Sequence, residues 1–142
     1  MNLIVVYDQK EENILMCYRS KDPYKNLYNL VGGKVEENET NEEAAYRELE
    51  EETGITRQDI ILSYLMTFQY EMSNIELQIY VGKLNKEKKL VEEANRLLWV
   101  SIKENFYDMT KYAGEGNIYH ILEQVKIYPD CLLKVEKFVT NQ

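Results

Sequence analysis

Apolar residues crowd the run NLIVVY at 2–7 and return in NILMCYR at 13–19. The polar stretch Asp8–Glu12 separates them, so the pair reads as two strands around a turn. A short extended run, Asn26–Val31, ends in the pair Gly32–Gly33. From Glu42 to Thr53 the pattern changes to a helical one, with Ala45 and Leu49 four residues apart on one face. Residues 60–71 and 74–84 read as strands joined by a tight turn near Ser73–Asn74, and Leu97–Ser101 as another strand. Ser101, with Glu104 three residues on, has the form of an N-cap for a short helix through Asp108. Asn117–Lys126 is amphipathic, with Ile118, Ile121, Leu122 and Val125 on one side. Asp130 is placed to cap a last helix through Val139, and the charged stretch Lys83–Glu93 reads as a loop. Mixed strands with interspersed helices predict an α/β fold with helices on both faces of a sheet.

Composition narrows the setting. The 142 residues fit one domain, 1–142, with a single core, and a hydrophobic fraction of 44% is enough to fill it. Cys17 and Cys131 are distant and form no metal-type pair, which points to a reducing compartment. The first residues lack the basic region of a signal peptide, and no run reaches membrane-spanning length. The expected location is the cytoplasm, with no membrane partner. A net charge of −8 argues against general nucleic-acid binding, because cations are needed to displace phosphate counterions. A small anionic ligand bridged by metal ions stays compatible with that charge.

The charge concentrates in GGKVEENETNEEAAYRELEEETGI, residues 32–55. Thr40 and Glu43 fit a capping box that starts a helix after Glu39. Glu48, Glu51 and Glu52 follow at i, i+3 and i+4, so all three project from one face, away from Ala45 and Leu49. Their mutual repulsion costs a few tenths of a kcal/mol per exposed pair. A divalent cation reverses that sign, since Mg²⁺ takes hard carboxylate oxygens while keeping waters and phosphate oxygens. Arg47 can pair with Glu39 or Glu51 and orient a neighbouring carboxylate. Gly32 and Gly33 let the backbone approach a ligand or metal closely.

The stretch resembles the Nudix box, G-x5-E-x7-R-E-U-x-E-E-x-G-U with U aliphatic. Gly33, Glu39, Arg47, Glu48, Leu49, Glu51, Glu52, Gly54 and Ile55 fill it without departure. The order of flanking elements is also similar to a Nudix domain. The resemblance implies a Nudix-type α/β/α sandwich around a mixed β-sheet. It implies Mg²⁺-dependent hydrolysis, with Mn²⁺ as an alternative, of a nucleoside diphosphate linked to another moiety. Water attacks a phosphorus atom while metal offsets charge on the phosphate oxygens and leaving group.

Residue roles follow from the same likeness. Glu48, Glu51 and Glu52 match metal-binding glutamates, and the Gly32 carbonyl is a further ligand. Glu48 or a loop glutamate is the general base; Arg47 orients Glu48, and Glu39 holds Arg47 and the loop. In MutT-like members another metal-binding glutamate precedes a Trp-containing strand. Glu93, six residues before Trp99, has that spacing, with Glu92 as the fallback. Arg19 matches a phosphate-contacting arginine, and Gly33 and Lys34 lie where substrate would pass. Asn117 resembles the asparagine that reads a purine edge, where an amide can pair bidentately. Tyr24 and Tyr28 are the candidates for stacking on a base.

Other readings stand beside these. Glu93 also fits a solvated charged loop, Arg19 an ordinary strand-end cation, and Asn117 an N-cap. Trp99 and Cys17 read as core, and His120 as helix surface or packing. Val31 stands where many relatives have proline, a change in the loop before the metal ligands. No proline occurs between Pro23 and Pro129, so the proline that marks ADP-ribose-cleaving relatives is missing. The expected substrate is therefore a nucleoside triphosphate, with an oxidised purine among the options, cleaved to the monophosphate and pyrophosphate. A nucleotide sugar or dinucleotide is the alternative, and a non-cleaving nucleotide sensor a third. The expected assembly is a monomer or homodimer that binds a small nucleotide.

Overall fold

The computed structural model describes residues 1–70, 72 and 74–132. Along the chain these form β1 (Asn2–Tyr7), β2 (Asn13–Tyr18), β3 (Tyr28–Asn29), β4 (Val31–Gly33), α1 (Asn41–Thr53), β5 (Ser63–Tyr70), β6 (Ile75–Lys83), β7 (Arg96–Ser101) and α2 (Asn117–Ile127). All the strands join one sheet of order β3-β2-β1-β6-β5, with β4 also on β1 and β7 on β2. β1 runs parallel to β6 and antiparallel to β2 and β4, so the sheet is mixed.

The apolar run of β1 is continuous because both of its faces are covered. Ile4 and Val6 join Leu15, Val31, Ala45 and Leu49 in a core beneath α1. Val5 and Tyr7 join Ile14, Met16, Ile118, Ile121, Leu122 and Val125 in a second core beneath α2. Alternation along a pleated strand divides neighbouring residues between the two layers. The result is helix, sheet, helix, the sandwich expected above. Leu49 is fully buried at the centre of its layer. Its truncation to alanine would cost about 2–5 kcal/mol, the usual range for a buried leucine.

Local chemistry sets the bounds of α1. Thr40 Oγ1 accepts from the Glu43 amide and the Glu43 carboxylate accepts from the Thr40 amide, completing the capping box. Gly54 ends the helix in the left-handed region, at φ 82°, with its amide on the Glu50 carbonyl.

Four expectations need correction or fall elsewhere. The expected helix from Ser101 through Asp108 does not form; the segment is a series of turns. Ser101 Oγ accepts from the Lys103 amide, Asn105 Oδ1 from Tyr107 and Asp108 Oδ1 from Thr110. These side chains offer the backbone an alternative to helical bonds, which is why the capping signal led to no helix. Residues 60–62 precede β5, with Ile60 forming an isolated bridge to Leu84. Asp130 lies inside a 3-10 turn, Pro129–Leu132, rather than before a helix, and residues 133–139 of the expected last helix are outside the described residues. Ser73 of the expected tight turn is also outside them, while Asn74 adopts φ 53°.

Candidate active site

α1 and the loop before β7 enclose a small cleft of about 120 Å³, lined by Glu48, Glu51, Glu52, Glu93, Ala94, Asn95 and Leu97. The three helix glutamates are brought together by the helical repeat, and Glu93 reaches them from a segment forty residues on. Glu92 is occupied elsewhere: its carboxylate accepts from the Leu97 amide at 2.7 Å and pins the start of the Trp99 strand.

Arg47 ties this cluster to the glycine loop. Its Nη2 and Nε donate to the two oxygens of Glu39 at 2.7 and 3.0 Å. Nη1 donates to Glu48 at 3.0 Å and to Glu51 at 3.3 Å. Nη2 also donates to the Lys34 carbonyl at 2.9 Å. One planar cation thus holds three carboxylates and a backbone turn, which suits the fork of a guanidinium. Glu39 further accepts from the Glu36 amide at 2.7 Å, holding the loop before α1.

The glycines are required by close approach. A methyl group on Gly33 would lie 2.6 Å from Glu48 Oε1, so the carboxylate rests directly on the Gly33 backbone. A side chain on Gly32 would overlap the Asn2 carbonyl of the paired strand β1.

Burial, and then the adjacent Glu48 charge, push the Glu52 carboxyl up to about 7; the Gly32 backbone and Arg19 pull the other way. Crowded carboxylates with one arginine among them are a donor set of hard oxygens short of positive charge. That chemistry fits a divalent cation such as Mg²⁺. Among the described residues, no three His, Cys, Asp or Glu side chains are already drawn around one metal centre. Glu48, Glu51, Glu52 and Glu93 nonetheless line one cleft.

A larger cleft of about 640 Å³ opens on the other side of the glycine loop. Arg19, Gly32, Gly33 and Lys34 line it near the carboxylates, and Tyr24, Phe68, Tyr70, Glu115 and Asn117 also line it. Asn117 does not cap α2: Gly116 holds the N-cap position at φ 89° with no side-chain cap bond. Asn117 Nδ2 instead donates to Tyr70 Oη at 2.6 Å. Arg19 Nε donates to the Pro23 carbonyl at 3.3 Å, shaping the loop that carries Tyr24.

Tyr28 is a correction. It does not line the cleft; its ring packs 5.0 Å from Tyr18 and 6.0 Å from Tyr112. Its backbone is fixed by bonds to Lys111 and Ala113, which turn the ring into the layer beneath α2. Trp99 packs at the edge of the core under α1, and His120 sits 6.0 Å from Phe68. Sequence reasoning missed Phe68, Tyr70 and Glu115 as cleft residues. The period-two spacing of Phe68 and Tyr70 on β5 was the available signal; Glu115 gave none beyond lying between two glycines.

Comparison with known proteins agrees with this architecture. Residues 2–122 match the NUDIX domain family, and the chain belongs to that family. It is 47% identical over 47 residues to an ADP-ribose pyrophosphatase of Methanocaldococcus jannaschii, covering 33% of this chain and 28% of that protein. It is 35% identical over 78 residues to a dihydroneopterin triphosphate diphosphatase of Escherichia coli K12, covering 55% and 48%. The chain thus spans about half the length, or less, of these curated relatives. A MutT structure, from work on the Aliivibrio salmonicida and Vibrio cholerae proteins, superposes with a TM-score of 0.67 at 21% identity, over 88% of this chain and 94% of that one. That likeness establishes the shared, MutT-like fold. Among the described residues no helix is long and apolar enough to cross a membrane.

Proposed function

We propose that the chain is a Mg²⁺-dependent pyrophosphohydrolase that converts a nucleoside triphosphate to the monophosphate and pyrophosphate. The observation that carries this reading is the glycine loop: Gly33 touches the Glu48 carboxylate and also lines the larger cleft. A nucleoside in that cleft would pass its phosphates over Gly32–Gly33 toward Glu48, Glu51, Glu52 and Glu93. A bound divalent ion would be held by these four carboxylates and the Gly32 carbonyl, and would offset charge on the phosphate oxygens.

This chain's own residues supply the rest. Glu48 is the base that takes a proton from the attacking water, and Arg47 fixes the direction of its carboxylate. Arg19 and Lys34 meet phosphate oxygens, and Asn117 meets the base. The test is a panel of nucleoside triphosphates, nucleotide sugars, ADP-ribose and dinucleotides with Mg²⁺, with product analysis. Pyrophosphate and a monophosphate from a triphosphate support the proposal. Two phosphorylated fragments from ADP-ribose or a dinucleotide, with triphosphates inert, would replace it with the second reading, which the similarity to an ADP-ribose pyrophosphatase favours. Binding without any cleavage would make the chain a sensor.

A further inference from the structure

A separate cavity of about 670 Å³ is walled by the turn between β1 and β2, the segment after β6, and Trp99 of β7. Lys10, Lys86, Lys88 and Lys89 all line it, in a chain whose net charge is −8. The hydrolytic chemistry uses none of them. Leu97 borders the carboxylate cleft and Trp99 borders this cavity. Both pack into the layer beneath α1. As alternate residues of one strand they lie on one face, roughly 7 Å apart, so the two hollows are neighbours.

The walls are tied together. Gln9 Nε2 donates to the Asn85 carbonyl at 3.2 Å, and Asn85 Nδ2 to the Gln58 carbonyl at 2.8 Å. Lys88 lies 3.1 Å from Asp59, whose side chain is 5% exposed, and that pair fixes the segment after β6. The acids of the lining are Asp8, Glu12 and Glu87. Asp8 is occupied by the Glu12 and Asn13 amides and by Asn13 Nδ2. Glu12 and Glu87 are exposed and can turn to water. Lys10, Lys86 and Lys89 have no ion-pair partner among the described residues. Such a set of ammonium groups favours an anion long enough to meet more than one of them.

We infer that this cavity is an oligophosphate site, beside the hydrolytic carboxylates and separate from them. Lys10 comes from the β1–β2 turn, and Lys86 and Lys89 from the segment after β6. Linked phosphates space their charges, so one chain can reach both walls while a single phosphate meets one. Lysine binds phosphate as a point charge, so charge and length set the ligand class here. Two sources share that chemistry. One is the pyrophosphate released in the reaction proposed above; the other is the distal phosphates of an intact polyphosphate chain. Only the first source rests on the pyrophosphohydrolase reading.

The experiment uses Trp99, the single tryptophan of the chain, as a local reporter. Tripolyphosphate, pyrophosphate and inorganic phosphate are titrated into metal-free protein at low ionic strength, with tryptophan emission and calorimetry read together. Tripolyphosphate should change the emission and bind about tenfold or more tighter than inorganic phosphate, since it engages several lysines at once. A tripolyphosphate advantage over pyrophosphate below about threefold assigns the site to released pyrophosphate, and a larger one to an intact chain. The double variant Lys86→Gln, Lys89→Gln should lose about tenfold in tripolyphosphate affinity, and the double variant Lys86→Arg, Lys89→Arg should stay within about threefold of the parent. No binding at millimolar tripolyphosphate, equal affinity for inorganic phosphate, or unchanged affinity in the glutamine variant would each overturn the inference. So would heat of binding without a change in Trp99 emission, which would put the anion elsewhere. A loss in Arg19→Gln as large as in the glutamine variant would do the same, by moving the anion to the larger cleft. Failure of the pyrophosphohydrolase reading registers separately, as no pyrophosphate from any nucleoside triphosphate with Mg²⁺.

Discussion

Arg47 grips Glu39 through two nitrogens, at 2.7 and 3.0 Å, across eight residues of sequence. The same guanidinium holds Glu48 at 3.0 Å, so the loop acid and the helix acid share one anchor. Lysine cannot reproduce a two-nitrogen grip while reaching a second carboxylate. Arg47→Lys should therefore lower kcat about 10²-fold, with a smaller change in KM, because geometry rather than binding is lost. Steady-state kinetics on the best triphosphate checks this. Near-parent kcat in Arg47→Lys would mean that charge alone suffices.

Gly33→Ala isolates the contact between the loop and Glu48. The added methyl would sit 2.6 Å from Glu48 Oε1, while the Gly33 backbone stays outside the left-handed region. The damage should fall on the carboxylate rather than the fold. We expect kcat to drop about 10²-fold, the scale of misplacing a group near the chemistry, with the melting temperature little changed. A variant that melts much earlier, or one that turns over normally, would contradict the direct contact.

The helix glutamates were legible because a regular helix turns spacing into geometry: i, i+3 and i+4 fix one face without tertiary information. The capping box at Thr40 and Glu43 was legible for the same reason. Burial of Tyr28 was not, because it depends on Tyr18 from a paired strand and Tyr112 from a distant loop. The missing helix after Ser101 failed on local competition, since Asn105 and Asp108 bond their own backbone. Glu115 was invisible because the fold brings it into the cleft beside Tyr24, ninety-one residues away in sequence.

Metal-free protein should lose stability as pH rises. The Glu52 carboxyl titrates near 7 when folded, against an ordinary value of 4.5. Between those values the folded state binds more protons than the unfolded, so stability is full below about 4.5 and declines as pH climbs through 7. Melting temperatures in EDTA should fall from pH 5 toward pH 8 more steeply in the parent than in Glu52→Gln, which cannot titrate there. Added Mg²⁺ should flatten or reverse the parent's slope, since an ion favours the charged form. Identical slopes in parent and Glu52→Gln would remove Glu52 from the buried cluster.

Asn117 supplies the sharpest separation between a structural and a recognition role. The helix N-cap is Gly116, with no side-chain bond, so Asn117→Ser takes no cap away. It does remove the amide that bonds Tyr70 at 2.6 Å and faces the cleft. Losing a hydrogen bond at such a site costs roughly 1–3 kcal/mol, or about ten- to a hundredfold in kcat/KM. That loss should fall on purine triphosphates and spare pyrimidine ones, while the melting temperature stays near the parent's. Tyr70→Phe should shift the same ratio in the same direction but by less, because it frees the Asn117 amide without deleting it. The measurement is kcat/KM for purine and pyrimidine triphosphates in parent and both variants. An unchanged ratio in Asn117→Ser, with stability intact, would take base selection away from this end of the cleft.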